Sequence, residues 1–89
     1  MIKKVFSKKK GTEFYYVDWN GQNLKEIQKF VGEEVPVEQY NYRTLIIDYR
    51  YDVDIGDCIV SDRFGYSFRI YKPEEFRRSF KCSKSSENV

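Results

Sequence analysis

The chain has 89 residues, which suits one domain with a modest core. Its 16 basic and 14 acidic residues leave a net charge of +2, too small by itself to mark a nucleic-acid binder. Histidine is absent, which removes Ser-His-Asp and Cys-His nucleophile pairs and every zinc site that needs imidazole. No apolar run approaches the ~20 residues of a membrane span. The basic N-terminus has no long apolar stretch behind it, so a cytoplasmic protein without a signal peptide is expected.

In chain order, Ile2 to Phe6 reads as a short strand and Lys8-Lys9-Lys10-Gly11 as an exposed turn. Thr12 to Trp19 is rich in β-formers, with Tyr15, Val17 and Trp19 on one face and Phe14 and Tyr16 on the other. Asn20-Gly21 ends that strand. A helix follows. Asn23 and Glu26 have the spacing of a capping box, Leu24, Ile27, Phe30 and Val31 form an apolar stripe, and Gly32 suits the C-terminal cap. Val35 to Tyr42 is irregular or a weak strand, because Pro36 cannot donate to a ladder. Thr44 to Val53 alternates with period two and predicts one long strand.

Asp54-Ile55-Gly56-Asp57 is a tight turn, with Gly56 available for positive φ. Cys58 to Ser61 is a short strand, Asp62-Arg63-Phe64-Gly65 a hairpin connection, and Tyr66 to Tyr71 the return, with Tyr66, Phe68 and Ile70 on one face. Lys72-Pro73-Glu74-Glu75-Phe76 opens a last helical turn, with Pro at its first position and Glu at its positive end. Phe76 and Phe80, four apart, pin it to the core. The fold class expected is α+β: residues 1–80 form a small curved antiparallel sheet or a partly open barrel, with one packed helix and a short C-terminal helical turn. Residues 81–89 form a polar tail. Cys58 is expected as a small buried side chain and Cys82 as incidental, with no disulfide between them.

Two stretches resemble a family of small proteins common in bacteriophages and prophages. Trp19-x-Gly21-x-Asn23-x-x-x-Ile27-x-x-Phe30-Val31-Gly32 is similar to its front half. Ile55-Gly56-Asp57-Cys58-Ile59-Val60 and Gly65-Tyr66-Ser67-Phe68 through Lys72-Pro73-Glu74-Glu75-Phe76 are similar to its back half. The resemblance covers about residues 12–80. Cys58 departs from the family's aromatic after Gly-Asp, and Lys8–Gly11 is an added segment. The resemblance implies a phage or mobile-element origin and supplies no catalytic site. Gly56, Asp57 and Pro73 are accounted for by turn chemistry.

Three groups of residues carry the functional expectations. Asp48, Asp52, Asp54, Asp57 and Asp62 lack the spacing of a Ca²⁺ loop and read as solvated turn acids; no metal or cofactor is expected. Basic residues gather near both ends: Lys3, Lys4, Lys8, Lys9 and Lys10 at the start, and Arg63, Arg69, Arg77, Arg78, Lys81 and Lys84 at the end. If the ends meet, Lys8, Lys9, Lys10, Arg69, Arg77 and Arg78 make a nucleic-acid surface with Phe6, Tyr66 and Tyr71 for stacking. Tyr40, Tyr42, Arg43, Tyr49, Arg50 and Tyr51 exceed what so small a core can bury, and Tyr and Arg are enriched at interface hot spots.

The leading expectation is a non-enzymatic, phage-encoded module that docks through these tyrosines and arginines on a bacterial protein and alters its activity, a restriction or CRISPR nuclease being one such target. The alternative is a small nucleic-acid-binding accessory protein. An enzyme using Asp57 or Lys72, and a self-associating virion component, homodimer included, are further readings.

Overall fold

Trp19 is the hub from which the two halves of the chain can be laid out. Its side chain is buried, and its indole N–H donates to the Arg43 carbonyl at 2.9 Å, giving the ring's one polar atom a partner away from water. The computed structural model describes residues 2–62 and 67–82. Among these residues the strands are β1 (Lys3–Ser7), β2 (Glu13–Asp18), β3 (Val37–Gln39), β4 (Thr44–Ile47), β5 (Tyr51–Asp54), β6 (Cys58–Asp62), β7 (Phe68–Tyr71) and β8 (Phe80–Lys81). The helices are α1 (Leu24–Val31) and α2 (Pro73–Ser79).

The strands form two antiparallel sheets, one ordered β7-β6-β2-β1-β8 and the other β3-β4-β5. The five-stranded sheet does not close, so the fold is α+β with an open sheet. Alternation along β2 explains its two-sided core. Val17 faces one way, toward Trp19, Ile27, Leu45, Ile47, Val53 and Ile59. Phe14 and Tyr16 face the other way, against Val5, Cys58, Val60 and Phe80. The first cluster is covered by α1 and the three-stranded sheet, the second by α2 through Phe76. Each fully buried aliphatic side chain contributes roughly 1.5–3 kcal/mol, so these two clusters dominate the folding energy.

Several local expectations change. The predicted long strand over Thr44 to Val53 is a hairpin, β4 and β5 joined by Asp48-Tyr49-Arg50. Leu45 pairs with Val53 and Ile47 with Tyr51, so residues of the same parity face the core on both arms. The alternation therefore runs through the turn without a break. At the start of α1, Asn23 sits at the cap position, but its side chain does not bond the helix backbone. Its Oδ1 accepts from the Asn20 N–H at 3.0 Å, and its amide donates to the Asp18 carbonyl and to Glu26. The last helix exceeds a single turn, and Lys81, expected in the tail, pairs with Phe6 in β8. The hairpin connection expected over residues 63–65, Tyr66, and tail residues 83–89 lie outside the described residues.

The Gly56–Asp57 turn ties the ends of the fold together. Gly56 has φ +100°, a conformation that favours glycine, and its N–H donates to the Trp19 carbonyl at 2.8 Å. Asp57 is only 2% exposed. Its carboxylate accepts from the Asp54 N–H at 2.9 Å and from the Lys72 ammonium at 2.9 Å. Lys72 in turn is the residue before α2, and its own N–H donates to Glu75. Pro73 Cγ lies where a side chain on Gly56 would touch it, at 3.6 Å. Gly21 shows the same economy of space: a Cβ there would stand 3.1 Å from Ile55 Cδ1. The Trp19–Asn23, Ile55–Asp57 and Lys72–Pro73 stretches, far apart in sequence, thus meet at one corner.

Removing the Asp57 carboxylate leaves the Asp54 N–H without its acceptor in a partly buried place, which costs roughly 1–3 kcal/mol. We expect Asp57→Ala to lower unfolding free energy by about 2 kcal/mol in urea, and Lys72→Met to lower it by less, because the lysine side chain is 58% exposed. Equal losses from both would show that the ion pair, not the turn, is what Asp57 supplies.

Candidate functional site

The β4–β5 turn is built against conformational preference. Asp48 and Tyr49 have φ of 57° and 62°, and the Arg50 N–H donates to the Ile47 carbonyl at 3.2 Å. Two consecutive left-handed residues are the φ signature of a tight hairpin turn, where Asn-Gly or Asp-Gly is the favoured pair. Asp48 suits its place. Tyr49 does not, since a bulky L-residue pays roughly 1–2 kcal/mol in that region. Burial does not offset the cost, because Tyr49 is 74% exposed. The turn is anchored from outside by the Asp48 N–H, which donates to the Pro36 carbonyl at 2.8 Å.

The neighbours of Tyr49 form a surface. The Arg50 guanidinium lies 4.9 Å from the centre of the Tyr51 ring, and its Nε is 3.8 Å from Asp48 Oδ2. Tyr51 meets Phe68 edge to face at 5.8 Å. Beside them opens a cleft of about 310 Å³ walled by Phe30, Val31, Val35, Tyr51 and Phe68, with Asp48 and Arg50 also lining it. The hairpin tip therefore combines an exposed tyrosine, a stacked arginine and an apolar hollow.

The other half of the predicted constellation lies elsewhere. Tyr40, Tyr42 and Arg43 sit in the β3–β4 connection, and the four residues of β4, roughly 13 Å of strand, separate them from the tip. Asn41 Oδ1 accepts from the N–H groups of Arg43 and Thr44 at 2.8 and 2.9 Å, which shapes that loop. The Arg43 carbonyl serves Trp19 and Ile55. Tyr40 and Tyr42 are 72% and 76% exposed. The six residues are thus two groups at opposite ends of one short strand. The cleft lining from α1, Val35 and Phe68 was not expected at a site, since the helix stripe reads as core; the missing signal was the turn at 48–50.

The basic residues are partly united. Lys8, Lys9 and Arg78 line one cleft with Phe14, Tyr71 and Phe80. Arg69 lines a neighbouring hollow that shares those three aromatics. Arg77 is on another side, in a cleft with Lys3, Tyr16 and Cys58, because successive helical residues point about 100° apart.

Chemistry-bearing groups elsewhere are held by structure. Asp57, expected as a solvated turn acid, is buried in the ion pair described above. Its hydrogen bond holds the Lys72 ammonium above the ordinary lysine range, so that side chain stays charged at neutral pH. The Thr44 hydroxyl, followed by Lys72, holds Asp54 below the usual carboxylate range. Among the described residues no three His, Cys, Asp or Glu side chains cluster as a metal site. Cys58 is buried, and desolvation pushes its thiol up to about 11; Cys82 is exposed. No helix among the described residues is long and apolar enough to cross a membrane. Comparisons with family models, with curated proteins and with solved structures find no match for this chain.

If Tyr49 is kept at the tip for contact and not for folding, Tyr49→Gly raises stability. Relief of the left-handed tyrosine outweighs the added freedom of the unfolded glycine by roughly 0.5–1 kcal/mol. Thermal and urea unfolding read this directly; a clear loss of stability would mean that the ring holds the fold.

Proposed function

We propose that this chain is a protein-docking module without catalysis of its own, and that its contact surface is the β4–β5 tip, Tyr49, Arg50 and Tyr51, with the apolar cleft beside it. The observation that carries this reading is Tyr49, an exposed aromatic held in a strained backbone conformation where glycine would fold more easily. Strain of this kind persists where a side chain is kept for something other than stability. Arg50 stacked on Tyr51 adds a pre-ordered cation, and the cleft offers a hollow for an anchor side chain of the partner. A lysine held fully charged by Asp57 argues against Lys72 as a base or nucleophile. The sequence resemblance to phage and prophage proteins favours a bacterial protein as the partner, with docking altering that protein's activity. The exposed pair Tyr40 and Tyr42 stands at the other end of β4, outside the tip and its cleft.

The test is affinity purification of the tagged protein from bacterial lysate after nuclease treatment, run in parallel with two variants. One protein should be retained stoichiometrically by the wild type. Tyr49→Ala with Arg50→Ala should weaken that interaction by roughly 30-fold or more, the scale of a hot spot. Tyr40→Ala with Tyr42→Ala should leave it within about twofold. Retention by the Tyr49 and Arg50 variant at the wild-type level would move the site elsewhere.

A further inference from the structure

The first tight turn and the last helix meet on the face of the five-stranded sheet opposite the β4–β5 tip. Lys8, Lys9 and Lys10 occupy a turn closed by hydrogen bonds from the Ser7 N–H to the Thr12 carbonyl, 2.8 Å, and from the Gly11 N–H to the Ser7 carbonyl, 2.7 Å. The Lys10 N–H donates to Ser7 Oγ at 3.3 Å. The Lys8 N–H donates to the Ser79 carbonyl at 2.9 Å, which fastens the turn to the end of α2 beside Arg78. The cations are therefore placed by backbone, and their mutual repulsion is borne by an ordered structure. Among the described residues, no carboxylate lies within ion-pair distance of Lys8, Lys9, Lys10 or Arg78.

Between the turn and the helix end lies an open cleft of about 500 Å³, within the ~300–1,000 Å³ typical of ligand sites. Lys8, Lys9 and Arg78 line it together with Phe14 and Tyr71, and the hydroxyl-bearing Ser7 and Ser79 stand between. Phe80, buried, meets Phe14 and Tyr71 edge to face at 5.5 and 5.2 Å and so fixes both rings. A smaller hollow of about 120 Å³ continues along the same three aromatics and adds Arg69, with Asp62 as its acid.

We propose that this cleft binds single-stranded nucleic acid, with phosphates on Lys8, Lys9 and Arg78 and a base against Phe14 and Tyr71. Cations around aromatic rings are the combination that single strands use, since phosphates need charge and every base offers a π-face. An acidic peptide would use the cations but has no need of the rings. A duplex keeps its bases stacked inside and cannot bring one to a recessed wall. The site is independent of the β4–β5 tip, so either can fail without the other. The modest net charge is compatible with it, because among the described residues no acid lines the larger cleft and Asp62 is the acid lining the smaller one.

The experiment is fluorescence anisotropy with a labelled oligothymidylate about twelve nucleotides long, titrated with the full chain from about 50 to about 200 mM salt. Binding should weaken steeply with salt. The Lys8→Ala, Lys9→Ala, Arg78→Ala triple variant, all at exposed positions, should bind about tenfold weaker or worse. Its logarithmic salt slope should be smaller by about 2, as loss of three phosphate contacts predicts. Tyr71→Leu should weaken binding at least about fivefold while keeping the slope, with urea unfolding to check that the variant is folded. Lys3→Ala with Arg77→Ala, on the other side of α2, should stay within about twofold. Absence of binding at the lowest salt, wild-type binding by the triple variant, equal affinity for a duplex, or equal competition by oligoglutamate would each overturn the proposal.

Discussion

The Asp57 carboxylate is almost out of water, and its two partners come from different parts of the chain. One is the backbone N–H of Asp54 at the end of β5, the other the ammonium of Lys72 before α2. A buried carboxylate without partners is costly, so the turn after β5 and the approach to α2 must arrive together. Gly56 hands its N–H to Trp19 in the same turn, which brings in the end of β2, and the Trp19 indole reaches the loop before β4. Everything further out is positioned from this corner: α2 over one face of the large sheet, the three-stranded sheet over the other. The pair contributes to stability chiefly through the penalty for breaking it, since Lys72 is more than half exposed and screened.

Much of this arrangement is legible in the residues themselves. Alternation in Phe14 to Val17 places two cores on two faces, and the stripe Leu24, Ile27, Phe30 and Val31 marks the helix that covers one of them. Gly56 and Pro73 announce the turn and the helix start. The hairpin at 48–50 is not legible, for a definite reason. Pairing Ile47 with Tyr51 and Leu45 with Val53 keeps core residues at odd positions on both arms, so the period-two pattern crosses the turn unbroken. The turn also lacks the glycine or asparagine that would give it away. The pairing of β2 with β6 is likewise silent, because it joins segments separated by a helix and a whole second sheet.

The site inherits the same blind spot. Read as one strand, Tyr49 and Arg50 would lie in the middle of a sheet and point to opposite faces. Folded as a hairpin they stand at its tip, Arg50 beside α1 and Phe68, and a cleft appears that no local pattern encodes. Tyr40, Tyr42 and Arg43 move to the far end for the same reason. Composition pointed to tyrosine and arginine as contact residues, but only the turn decides which of them stand together. On the opposite face, β1 and β8 do meet, and Lys8, Lys9 and Arg78 converge while Arg77 is turned away by one helical step. One small scaffold thus presents two chemically distinct surfaces, an aromatic tip and a basic cleft, on opposite sides of a shared sheet.

Tyr49, we propose, is held in strain to meet a protein partner. Amide hydrogen exchange, read with and without the partner recovered by affinity purification, addresses it most directly, because a partner seated on the tip slows the local opening that exchange requires. New protection is expected over residues 48–51 and at the C-terminal end of α1, with the Lys8–Lys10 turn unchanged. Protection confined to the Lys8–Lys10 turn or to the Tyr40–Arg43 loop, with residues 48–51 exchanging as before, would contradict it.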